Sequence, residues 1–139
     1  MKKIILALVI FCVLLIPAVS LAAVAKSSVN GYMNLVNRYT EFKAPIDADA
    51  AKFNANIDKI TNVSVKAKAQ KKLTLLNQYL TYGQTNLDRA RTILEKPSIT
   101  KSQFKVARKN IAAAKKYINR SYALQKELNR IFAGQHIGL

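Results

Sequence analysis

Past its first two dozen residues the chain has no cysteine, and along its whole length it has no tryptophan, one histidine and few acids. Cys12 is the sole thiol and stands in an N-terminal apolar stretch, without the small residues that would precede a lipid-modified cysteine. Disulfides, thiolate metal sites, a cysteine nucleophile and covalently attached c-type haem are therefore all excluded for the remainder. A single histidine, His136, leaves no His-x-x-x-His zinc pair and no helix-embedded triad. The seven acids are Glu41, Asp47, Asp49, Asp58, Asp88, Glu95 and Glu127, and none belongs to the Glu-x-x-His pair of a carboxylate-bridged metal bundle. No enzyme and no cofactor is expected from such an inventory.

What is abundant is positive charge, 23 lysines and arginines against 7 acids for a formal +16. The first residues, Met1-Lys2-Lys3, lead into thirteen apolar positions from Ile4 to Ile16, then Pro17 and a run of small residues. That is the tripartite pattern of a secretory signal peptide. Ser20-Leu21-Ala22 and Ala23-Val24-Ala25 both satisfy the small-x-small rule, so cleavage is expected after Ala22 or Ala25. The expected organisation is residues 1–25 as signal and 26–139 as one basic helical domain, exported to the periplasm, cell surface or medium. The rival is an uncleaved anchor through residues 4–25, since a membrane-spanning helix needs roughly 20 apolar residues.

Three later segments share one periodicity. The first seam runs Val29, Tyr32, Val36, Tyr39, Lys43, Ile46, Ala50, Phe53, Ile57 and Ile60. The second is Ala69, Leu73, Leu76, Leu80, Gly83, Leu87, Ala90 and Leu94. The third is Phe104, Ala107, Ile111, Ala114, Ile118, Ser121, Gln125, Leu128 and Phe132. Steps alternating between three and four mark helices packed at a shallow angle. Breaks fall at residues 61–64, where Ser64 is a plausible N-cap, and at residues 96–100, where Pro97 ends one helix and Thr100 with Gln103 forms a capping-box pattern. Helices over roughly residues 28–64, 64–96 and 100–133 predict an all-α, up-down-up bundle of three long helices.

Pro45 is discordant with the first helix, because proline removes a hydrogen bond and crowds the preceding turn. The seam keeps its phase across it, which favours one helix kinked at Pro45; the alternative is two shorter helices and a four-helix bundle. Asp47 and Asp49 then suit the first turn after the proline. Folding the chain about Pro97 sets Gly83 opposite Ala114, a close helix approach rather than a ligand site. Ser121 and Gln125 suggest a less buried C-terminal half, a place for a helical partner protein, and residues 134–139 are expected to fray.

Charge is graded along the domain: +1 over residues 26–60, +5 over 61–100 and +8 over 101–139. At about 100° per residue, Lys101, Lys105, Arg108, Lys109, Lys115, Lys116, Arg120, Lys126 and Arg130 fall within an arc of roughly 140° on the last helix. Solubility alone is served with less self-repulsion by mixed signs. The expected function is non-catalytic binding of an anionic surface or polymer: an acidic envelope polymer, lipid head groups, or extracellular nucleic acid held without sequence specificity. No base-reading motif is present, and Tyr32, Tyr39 and Tyr79 sit on or beside the seams and are expected in the core, whereas Tyr117 and Tyr122 flank the third and are expected to be partly exposed. The alternative is an adaptor bundle whose basic face only keeps it soluble.

The layout also resembles the soluble b-type four-helix cytochromes: a signal peptide, a short helical bundle, a methionine early and a histidine late. The resemblance implies a haem held by Met33 and His136. The residues themselves read as a methionine beside the first seam and a histidine beyond the last helix.

Overall fold

A computed structural model describes residues 23–139. The proposed signal lies outside the described residues, except for Ala23, Val24 and Ala25. Three helices account for nearly all of the fold: α1 (Lys26–Asn56), α2 (Val63–Leu94) and α3 (Lys101–Gly134), with a 3₁₀ turn, Ile57–Lys59, closing α1. They run up, down and up. Among the described residues no helix is long and apolar enough to cross a membrane.

The seams become the core. All eight expected positions of α2 are buried, as are those of α3 from Ala107 to Phe132 and those of α1 from Lys43 to Phe53. Val29, Tyr32, Tyr39 and Phe104 are half-buried and pack against that core, so its upper end is thinner than the lower. At the lower end Phe53 and Phe132 stack with ring centroids 5.2 Å apart. α2 and α3 form the closest pair, and α1 lies against both more loosely. Small residues in the facing seams allow that approach: a Cβ added to Gly83 would lie 3.0 Å from Cγ1 of Ile118. The glycine is thus a packing element, as expected, but its neighbour is one turn beyond Ala114.

α1 passes through Pro45 without interruption, so the fold has three helices and the four-helix alternative is set aside. The missing amide would have bonded the carbonyl of Glu41. Both Pro45 and Glu41 are exposed, so the freed carbonyl is on the solvent side, where water can satisfy it. With no new helix beginning there, Asp47 and Asp49 do not serve a first turn. Asp47 instead accepts both of its bonds from Lys43, at 2.8 and 2.6 Å, and Asp49 accepts from Gln125 at 2.6 Å.

The ends differ from expectation in instructive ways. α1 stops at Asn56, eight residues early, because the chain tightens into the 3₁₀ turn; its three-residue period stacks Ile57 over Ile60, and both are buried. The cap of α2 is Asn62, whose side-chain oxygen accepts from the amide of Val65 at 3.1 Å, rather than Ser64. The capping box of α3 forms as read, with Gln103 N–H donating to Thr100 Oγ1 at 3.2 Å and Thr100 N–H donating to Gln103 Oε1 at 3.0 Å. Residues 135–137, within the tail expected to fray, bond back to the end of α3. His136 turns left-handed at φ 55°, its amide donates to Ala133 O, and the Ile137 amide donates to Phe132 O at 3.1 Å. This is a Schellman closure, and it folds Ile137 back onto the core.

The lower half of α3 is buried despite its polar seam. Ser121 is 0% exposed and Gln125 8%. Each polar group finds a partner nearby: the Ser121 hydroxyl donates to the carbonyl of Tyr117 at 3.0 Å, and Gln125 reaches Asp49. Satisfied polar atoms tolerate burial, so Ser121 and Gln125 belong to the interior.

Candidate polyanion-binding face

All nine cations of the expected arc are exposed, on the side of α3 turned away from its own buried seam. Aromatic margins border this face on both sides. Toward α1, Tyr32 meets Phe104 edge-on at 5.0 Å and Phe42 meets Tyr122 at 5.5 Å. Toward α2, Tyr117 contacts Tyr82 at 5.2 Å and Tyr79 at 5.9 Å.

The margins hold three of the cations in place. The Arg108 guanidinium lies over the Tyr32 ring at 5.5 Å, that of Arg120 over Tyr79 at 5.7 Å, and the Lys126 ammonium over Tyr122 at 4.4 Å. Such contacts orient a charge without neutralising it, and at exposed sites each contributes roughly 0.5–1 kcal/mol. Among the described residues none of the nine forms an ion pair. The single acid of α3, Glu127, is drawn to Lys72 of α2 instead. The hydrogen bond from Lys72 and its charge hold the Glu127 carboxyl below its usual range, with smaller contributions from Lys68 and Arg130.

The helix period foretold the arc but not its borders. Tyr82, 42% exposed, falls outside the α2 seam, although its spacing of three from Tyr79 puts both rings on one side of that helix. Tyr32 and Tyr79, expected in the core, are half-buried beneath Arg108 and Arg120 at the margins, and Tyr39 is half-buried and packs against the core.

Met33 and His136 do not come together. Met33 is beside Tyr32, near the start of α3, while His136 follows Phe132, which packs on Phe53. Met33 and Phe53 are twenty residues apart on one helix, or roughly 30 Å at the α-helical rise. The two side chains cannot share an iron, and the histidine backbone is committed to the Schellman turn. Nor do three His, Cys, Asp or Glu side chains gather among the described residues where they could hold a metal ion.

No family model matches the sequence, and no curated protein or solved structure matches it either. The functional reading accordingly stands on the chain's own geometry.

Proposed function

We propose that this is an exported, non-catalytic bundle that binds an anionic surface or polymer through the exposed face of α3. The observation carrying this reading is that nine solvent-facing cations share one side of a helix with no carboxylate paired to them among the described residues, while the helix's one acid is engaged by α2. A face retained only for solubility would gain from internal pairing of opposite charges. A polyanion supplies the missing partner and releases its counterions on binding.

The test replaces Lys105, Arg108, Lys109 and Lys116 by glutamine and measures binding to anionic vesicles, acidic polysaccharide and DNA at low and physiological salt. The control removes equal charge elsewhere, at Arg38, Lys59, Lys71 and Lys96, all exposed and unpaired among the described residues. At a membrane surface each cation contributes about 1 kcal/mol, so the first variant should lose about 4 kcal/mol, nearly a thousandfold, with a shallower salt slope. Equal losses in both variants would make net charge, not a defined face, responsible. No binding by the wild type at physiological salt would leave the adaptor bundle as the better account.

A further inference from the structure

The residues just before α1 are built into the folded domain. Ala23 stands opposite Thr100 in an isolated antiparallel bridge, whose bond from the Val24 amide to the carbonyl of Ile99 is 2.9 Å long. Ile99 is buried, and Val24 borders the same cleft as Val29 and Leu94. Ala25 is the N-cap of α1; having no side-chain oxygen, it serves through its carbonyl, which accepts from the amides of Ser28 at 3.0 Å and Val29 at 3.2 Å. Residues 23–25 are therefore a short strap that pins the α2–α3 turn and starts the first helix.

We infer that the signal is removed by hydrolysis of the Ala22–Ala23 peptide bond and not after Ala25. The inference rests on the export reading above and deepens it. A cut after Ala25 would discard the bond to Ile99 and the carbonyl that opens α1. A cut after Ala22 keeps both, and Ser20 and Ala22 supply the small residues that the protease requires. In the reaction, water adds to the Ala22 carbonyl carbon and the bond to the Ala23 nitrogen breaks. The carboxylate stays on the signal fragment and the ammonium on Ala23. That new cation borders a cleft shared with Lys101, Lys105 and Arg108, so processing adds one further positive charge where the basic face begins.

The experiment expresses the full chain in an exporting host and determines the intact mass of the processed protein. The wild type should span Ala23–Leu139. Ala25→Leu should begin at the same residue. Ala22→Leu should accumulate as precursor, or emerge from Lys26 with an unfolding midpoint lower by about 5 °C or more. A wild-type product beginning at Lys26 overturns the inference while leaving export intact. A Lys26 product of Ala22→Leu that melts with the wild type also overturns it, since the strap would then contribute nothing. Recovery of unprocessed Met1–Leu139 from the wild type overturns the export reading and the inference together.

Discussion

Lys72 of α2 donates to a carboxylate oxygen of Glu127 on α3, a contact between residues 55 positions apart that joins the two most closely packed helices. It removes from the basic face the one acid that could have offset it. Glu127→Gln deprives Lys72 of its counter-charge and leaves one more free cation beside that face, so affinity for an anionic vesicle should rise severalfold, read as tighter binding at fixed salt. Because the folded-state pKa is depressed, the pair's stabilisation is present above the ordinary carboxylate range and is lost as pH falls through the folded value. Both groups are partly exposed, so solvent screening keeps the effect to about 1 kcal/mol or less. The wild-type advantage over Glu127→Gln should be present at neutral pH and vanish in acid, measured by urea denaturation at each pH.

The contact of Gly83 with Ile118 sets the distance between α2 and α3. Gly83→Val places branched carbons where a single Cβ already comes within 3.0 Å of Cγ1. The expected cost is about 1–3 kcal/mol of overpacking, read from the urea midpoint. Wild-type stability in this variant would show that the helices slide apart without penalty.

Lys43 and Asp47 should respond unequally. The lysine is 7% exposed and the aspartate side chain 45%. Removing the lysine with Lys43→Met leaves a carboxylate that water can reach, so stability should change by less than about 1 kcal/mol. Asp47→Asn strands a buried ammonium without its counter-charge and should cost about 1–3 kcal/mol. Equal costs in denaturant titrations would show that the ammonium has its own access to solvent.

His136 occupies the left-handed position of the Schellman turn, which glycine adopts without steric penalty. His136→Gly should stabilise the domain by roughly 0.5–1 kcal/mol, seen as a higher melting midpoint. A loss of stability would mean that the imidazole contributes a contact outweighing its backbone strain.

Much of this architecture is legible from spacing alone, since heptad steps depend only on which residues repeat at the helical period. The buried set of α2 matches its seam from Ala69 to Leu94 without exception. Ser121 and Gln125 show where that reasoning stops. Their polarity argues for exposure, and only the tertiary placement of Asp49, 76 positions away from Gln125, reveals that the amide is satisfied. The nine cations were equally plain, because none of them falls on the α3 seam. The tyrosine borders were not, because each depends on which helix lies alongside, information absent from any single helix's periodicity. The strap at Ala23–Ala25 was hidden for a further reason. It is made of backbone bonds, and those carry no residue signature.

The rings beneath Arg108, Arg120 and Lys126 give the protein its own optical gauge. With no tryptophan to dominate emission, ultraviolet fluorescence comes from six tyrosines, and Tyr32, Tyr79 and Tyr122 each sit against one of those cations. A ligand that draws the cations off their rings alters the surroundings of half the fluorophores, so occupancy of α3 can be followed in unlabelled protein.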